Sequence, residues 1–521
     1  MEQRLRTYSG KEKYMYLFGM AGQNIIYNII AASLAYYLQF TILIPAMAVS
    51  VIMTLARVWD AFNDPMMGTI VDRTRTKIGK CRPYLLAIPA PILVITVLCF
   101  LNFGFFDPSK EMFEGANALI VIWAAVAYIL WGMTYTVGDI PLWSLPSLMT
   151  ESKDDRGKLL ALARIFGGIG GGIALLGAQP LALMLGKKLV PFAAKITDFG
   201  ANSAVTREAA GERLGFVLTA LIFGVLGCGL FQLVGIFSRE RIKPSKEKYS
   251  LGKNFSLMWT NKPFRQILLS GLMGSPKFLL GLAAMPLVTY YYASKDSGMA
   301  LIYIVLLGGG MFIGQFAAMG TAPKVANKYG KKHVYNYSNL AGAIPFAAIF
   351  VMYQIAPMSL TRPVFIAISF VLFILGGAAN GFTSVMSTLM ISDAVDYEEY
   401  HNGTRPDGVF FSGQSFLTKL NTGIATLLSG LAYSAVGFSD AKVAELNAFI
   451  AAGNIPREAP QYQKFMMILF FIVSIPPAIG SILSVIPTWH YCLDDKEHER
   501  ILGELNARRH AAEAEKAGDG S

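Results

Sequence analysis

The chain has 521 residues, 54% of them hydrophobic and 15% charged, with 45 Lys and Arg against 34 Asp and Glu for a formal charge of +11. Soluble globular chains carry about 25% charged residues, so this composition, with a mean hydropathy of +0.46, indicates an integral membrane protein. The positive charge does not indicate a nucleic-acid binder, because the basic residues lie between apolar runs rather than in one soluble domain.

Apolar stretches long enough to cross about 30 Å of hydrocarbon as helices recur along the whole sequence, unlike the alternating segments of about ten residues in an outer-membrane barrel. Twelve are predicted, over 14–38, 44–68, 84–105, 117–146, 159–186, 213–237, 264–292, 299–320, 335–356, 363–390, 408–436 and 465–489. The polar first thirteen residues and the long first run argue against a cleavable signal peptide. Basic residues gather after even-numbered spans. Arg73, Arg75, Lys77, Lys80 and Arg82 follow the second, Arg239, Arg241, Lys243, Lys246, Lys248 and Lys253 the sixth, and Lys324, Lys328, Lys331 and Lys332 the eighth. The positive-inside rule then puts both termini in the cytoplasm of a multi-pass inner (plasma) membrane protein. Cys81, Cys99, Cys228 and Cys492 show no paired spacing and read as free thiols.

The basic connector divides the chain into an N-terminal six-helix half (1–237), a cytoplasmic connector (238–263), a C-terminal six-helix half (264–489) and a cytoplasmic tail (490–521), expected to be partly helical or disordered. Short echoes support duplicated halves. Ile78-Gly79-Lys80 returns as Tyr329-Gly330-Lys331, and Ser147-Leu148-Met149 as Thr388-Leu389-Met390. Duplicated halves with a substrate site near the midplane are a feature of secondary transporters. No Gly-Lys-Ser/Thr phosphate loop is present, which argues against an ATP-driven pump.

Within the second span, Asp60 and Asp64 are four residues apart. A carboxylate at the bilayer centre costs roughly 2.5–3.5 kcal/mol even on the lenient insertion scale, so both must face a bundle interior or a wet cavity. Four helical residues turn about 400°, which brings both acids to one face, roughly 6 Å apart along the axis. Pro65 frees the carbonyl of Ala61. With the Asn63 amide, these oxygens suit a hard alkali cation or a proton. Arg57, three residues from Asp60, could instead neutralise that acid structurally, which leaves Asp64 unexplained.

The fourth span carries Asp139 before Pro141, with Thr136 a turn earlier and Trp143 beyond. A carboxylate beside an indole suits a polyol, the acid accepting hydroxyl hydrogen bonds and the ring covering a sugar's apolar face. The competing reading is a proline kink with an interfacial tryptophan. Early in the fifth span Arg164 either binds substrate or bridges Asp139, and glycines from Gly167 to Gly172 allow close helix approach, for which packing alone is the simpler account. Lys419 in the eleventh span needs an acidic partner, for which the first-half acids are candidates, and Lys277 follows a Gly274-Ser275-Pro276 break. All five histidines (His333, His401, His490, His498 and His510) fall in loops, at span ends or in the tail, so a buried histidine relay is not available.

Trp59-Asp60-Ala61-Phe62-Asn63-Asp64-Pro65-Met66-Met67-Gly68, with Asp72-Arg73-Thr74-Arg75 and Gly79-Lys80 beyond it, resembles the glycoside-pentoside-hexuronide:cation symporters of the major facilitator superfamily, typified by melibiose permease. The resemblance continues through Asp139-Ile140-Pro141-Leu142-Trp143-Ser144, through Asp393-Ala394-Val395-Asp396-Tyr397-Glu398-Glu399-Tyr400, similar to a cytoplasmic loop of that family, and through Lys419. It implies an all-α membrane protein of twelve transmembrane helices in two six-helix halves, the major facilitator fold. It also implies a cation (sodium) site of Asp60, Asn63, Asp64 and Thr136, sugar contacts at Asp139, Trp143 and Arg164, and Lys419 between the two. Where galactoside-transporting relatives have a first-span acid, this chain has Asn24 beside Gln23, so Asn24 would meet the sugar and a different glycoside, a pentoside or a hexuronide is expected.

The function expected is a secondary active symporter in the cell membrane that couples Na⁺ or H⁺ entry to sugar uptake by alternating access, acting as a monomer in the lipid bilayer with no other cofactor. The alternative is a cation-coupled transporter of lysolipids or other amphiphiles on the same fold. An enzyme reading lacks a Ser/His, Cys/His or metal cluster, and a channel reading lacks repeated filter elements.

Overall fold

The computed structural model describes residues 5–102, 104–107, 109–196, 207–242, 251–292, 302–435, 445–446, 449–450 and 452–518. Lys243, Lys246 and Lys248 of the basic connector, 299–301 at the start of the eighth stretch, 436 at the end of the eleventh and 519–521 of the tail lie outside the described residues. Among the described residues no strand forms, and helix covers each of the twelve expected stretches.

These are α1 (Gly10–Tyr36), α2 (Ala46–Arg73), a third span in two pieces, α3 (Arg82–Ala87) and α4 (Pro89–Cys99), then α5 (Ala116–Ser144), α6 (Lys153–Ile196) and α7 (Arg207–Phe237). The seventh span is interrupted, α8 (Lys262–Met273) and α9 (Leu279–Leu287) being joined by a 3₁₀ turn over Ser275–Phe278 at the Gly-Ser-Pro break. The remainder are α10 (Gly309–Tyr329), α11 (Lys331–Ile355), α12 (Pro363–Asn402), α13 (Asp407–Ala435) and α14 (Gln463–Leu483). Among the described residues seven helices are long and apolar enough to cross a membrane by composition. Helix α2 is not among them, since Arg57, Asp60 and Asp64 share its length.

The chain forms two compact units, Met1–Phe255 with Asn402–Phe416, and Ser256–His401 with Leu417–Ser521. In the first, α1 packs on α6 through glycines. A Cβ added at Gly170 would stand 2.2 Å from the Ala21 carbonyl oxygen, and at Gly167 and Gly171 it would meet the amides of Asn24 and Asn28 at 2.8 and 2.7 Å. Close approach is therefore what these glycines provide, whereas nothing stands within 4 Å of a Cβ at Gly172. Tyr37, Phe100 and Phe216 form an aromatic core, the two phenylalanines stacked at 5.9 Å. In the second unit Tyr291, Tyr353 and Phe470 play that part, with Tyr353 and Phe470 stacked at 4.3 Å.

The glycine-lysine echo is also an echo of bonding. Gly79 (φ +122°) and Gly330 (φ +83°) take the left-handed backbone that glycine tolerates. The next amide donates to an acid lying shortly beyond the sixth span of its half, Lys80 to Glu240 at 2.8 Å and Lys331 to Asp495 at 2.8 Å. Each lysine ammonium then enters a buried acidic cluster. Lys80 bridges Asp72 at 2.8 Å and Asp407 at 2.9 Å, with Arg405 also on Asp407 at 3.2 Å, while Lys331 bridges Asp393. Burial alone would pull the Lys80 ammonium down, but Asp407 and Asp72 outweigh it and hold its pKa above the ordinary value.

One segment departs from expectation, and a second takes one of the two forms expected of it. Asp393–Tyr400, expected as loop, continues α12, because it has no Gly or Pro and its acids find partners: Lys331, Asn261 for Glu398 at 2.8 Å, and Arg509 for Glu399. The tail is ordered as α15 (Asp495–Gly518), docked through the buried His498, whose Nε2 lies 3.1 Å from Asp396 and 3.5 Å from Asp393. Neither partnership is visible to a local reading.

Candidate functional site

Helix α2 starts directly after Pro45 and runs through Pro65 without ending. It buries Asp60 (6% exposed) and Asp64 (0%) on one face. That face meets α5 in register. Thr136 donates from Oγ1 to Asp64 Oδ1 at 2.9 Å, and one turn earlier a Cβ at Gly132 would lie 3.0 Å from Asp60 Oδ1. Two positions four apart on α2 therefore face two positions four apart on α5, as parallel helices require. Gly132 gives the Asp60 carboxylate its room. Arg57 comes to 3.7 Å from Asp60, so the sequence expectation of a partner for that acid holds, and Asp64 is served by a hydroxyl instead. The half-buried Asn63 presents an amide nitrogen that is shielded from solvent and, among the described residues, makes no hydrogen bond. A buried orphan of this kind costs about 1–3 kcal/mol.

A second face of α5 looks to α1. The Asp139 carboxylate accepts from Gln23 Nε2 at 2.6 Å, and the same amide also contacts the Tyr135 hydroxyl. Asn24 is a neighbour in this network, donating to Gln23 Oε1 at 2.7 Å and to the Met20 carbonyl at 3.0 Å. Gln23 rather than Asn24 is thus the first-span group that reaches the acid. Below it Tyr135 stacks on Trp131 at 4.9 Å, and Tyr27 closes on both. The Trp131 indole donates to Thr96 at 3.0 Å, which fixes the ring. Near the end of α5, the Arg164 guanidinium of α6 lies over the Trp143 ring at 4.3 Å, a cation–π pairing that leaves the guanidinium edge able to hydrogen-bond.

The first unit thus assembles Asn24, Asp60, Asn63, Asp64, Thr136, Asp139, Trp143 and Arg164 from four helices, α1, α2, α5 and α6. Lys419 is half-buried on the part of α13 that belongs to the second unit, and Lys277 donates to Asn339 at 2.6 Å in that unit. Sequence reading gave no role to Gly132, Tyr135 or Trp131. Their spacing, with Tyr128, Trp131, Tyr135 and Asp139 on helical repeats, was the available signal. The chemistry on offer is a cluster of hard oxygens beside a polar and aromatic surface.

A family model described as MFS/sugar transport protein matches residues 15–495. The chain belongs to that family. It is a transporter, not an enzyme, and its fold is the all-α fold of the major facilitator superfamily. Among its relatives it is similar to the isoprimeverose transporter of Lactiplantibacillus pentosus, 25% identical over 98% of this chain and 93% of that protein. It is similar also to the putative glycoside/cation symporter YagG of Escherichia coli (strain K12), 26% identical over 82% and 84%. The transporter FucP in its outward conformation superposes with a TM-score of 0.58 at 14% identity, covering 92% of this chain and 98% of that one. At that identity the likeness speaks for the fold alone, and the family membership agrees with the resemblance drawn from the second-span motif.

Proposed function

We propose that this transporter is a symporter in which a monovalent cation at Asp60, Asn63, Asp64 and Thr136 drives uptake of a sugar bound by Asn24, Asp139, Trp143 and Arg164. The observation that carries the reading is the buried Asp64–Thr136 bond at 2.9 Å beside a second buried acid on the same helix face. Such an arrangement has little structural reason to hold two acids in an apolar span. The cation coupling named for YagG supports it. Sodium is the cation proposed, because Asn63 adds a neutral oxygen to the set, and a proton is the competitor. The sugar is a glycoside, pentoside or hexuronide, the last using Arg164 for its carboxylate. The protein acts as a monomer in the inner membrane with both termini cytoplasmic, and it works by alternating access.

Thermal unfolding of the purified protein with a panel of sugars tests this. A glycoside, pentoside or hexuronide that raises Tm in sodium but not in potassium is the expected result. Stabilisation by sugar indifferent to sodium across a pH series would contradict the cation assignment, and stabilisation by lysolipids alone would favour the amphiphile alternative.

A further inference from the structure

A cavity of about 510 Å³ opens where α10 gives way to α11 in the second unit, its walls including Val325, Lys328, Tyr329, His333, Tyr337 and Phe382. That volume falls within the roughly 300–1,000 Å³ of small-ligand sites. It lies outside every residue assigned above to cation or sugar.

The charge carried by these two helices themselves is one-sided, with Asp495 reaching Gly330 and Lys331 from outside them. Between Asp296 and Asp393 the sequence contains no acidic residue, whereas Lys324, Lys328, Lys331 and Lys332 crowd the junction of the two helices. Lys331 is taken up by Asp393 and Asp495. Among the described residues no carboxylate pairs with Lys328; its ammonium lies instead over the Tyr329 ring at 5.1 Å. The His333 imidazole stacks on Tyr337 with centroids 6.1 Å apart and 18° between planes. Both tyrosines are 59% exposed, as amphipathic rings are at a membrane–water boundary. Val325 and Phe382 supply the apolar wall.

We infer that this cavity binds an anionic phospholipid. The phosphate is held by Lys328 and His333 between the tyrosine rings, and the first part of an acyl chain lies against Val325 and Phe382. A zwitterionic lipid would bring its own ammonium against Lys328, and a free phosphate would have no use for the apolar wall. Basic pockets between spans recognise anionic headgroups in this manner, at about 1 kcal/mol per Lys or Arg.

Native mass spectrometry of the full chain in detergent, titrated with phosphatidylglycerol or phosphatidylcholine, tests the assignment. Phosphatidylglycerol is expected to bind at least tenfold tighter than phosphatidylcholine. K328Q should weaken it about fivefold, the equivalent of about 1 kcal/mol, and K328Q/H333Q further. F382S should weaken the lipid without strengthening competition by inorganic phosphate, and K158Q, which removes an exposed lysine of the first unit, should change nothing. Equal losses in K158Q and K328Q, equal binding of the two lipids, or displacement of phosphatidylglycerol by equimolar inorganic phosphate would each overturn the proposal. The readout requires no sugar or sodium, so it stands or falls separately from the symport reading.

Discussion

At the scale of single residues, the Asp64–Thr136 hydrogen bond ties α2 to α5 where the proposed cation would sit. Thr136→Val keeps the volume and removes the hydroxyl, so the apparent sodium affinity measured by sugar uptake should fall about tenfold to a hundredfold, matching the roughly 1.5–3 kcal/mol of a hydrogen bond to a charged group. Gly132→Ala places a methyl 3.0 Å from Asp60 and should likewise weaken sodium dependence while the protein still folds, a split that a merely packed glycine would not produce. The acid pair was legible in the sequence because a carboxylate in an apolar span demands an explanation. Its surroundings were not. Which residue of α5 faces Asp60, and that Gln23 rather than Asn24 reaches Asp139, depend on how three helices lie against one another, and nothing within a few residues of either position encodes that.

At the scale of elements, the buried clusters around Lys80 and His498 hold chain segments that are far apart in sequence. Lys80 sits between Asp72 and Asp407, so Lys80→Ala leaves two buried carboxylates without their ammonium, a change that typically costs about 3–5 kcal/mol. A fall in Tm of several degrees is expected, partly restored by Lys80→Arg. Because the folded pKa of Lys80 is raised, its contribution is complete below the ordinary lysine value of 10.5 and is lost only as pH rises through the folded one; wild type and Lys80→Ala should therefore differ by a constant amount between neutral pH and pH 9. His498 docks α15 onto the acidic end of α12, and His498→Ala should speed amide exchange throughout α15 while leaving α1 to α5 unchanged. The twelve spans were readable from hydropathy, whereas the docking of the tail was not, since α15 is polar and owes its place to Asp396, Asp393 and Glu399 on another helix.

At the scale of the whole molecule, a symporter needs two sites whose occupancies are linked, and the first unit supplies a candidate for each on adjoining faces of one helix. Thr136 of α5 faces the α2 acids, while Tyr135 and Asp139 face Gln23 of α1. Any shift of α5 that accompanies cation binding is then felt at the sugar side without a separate relay. With a single charge carried inward, a membrane potential contributes about 2.3 kcal/mol per 100 mV, equivalent to roughly fiftyfold accumulation before an ion gradient is added. The decisive measurement is sugar uptake into proteoliposomes under an imposed sodium gradient and inside-negative potential, for wild type and Asp64→Cys. Asp64→Cys should still exchange sugar across the membrane down its gradient but should fail to accumulate it. Accumulation by that variant equal to wild type would contradict the assignment of Asp64 as the coupling ligand.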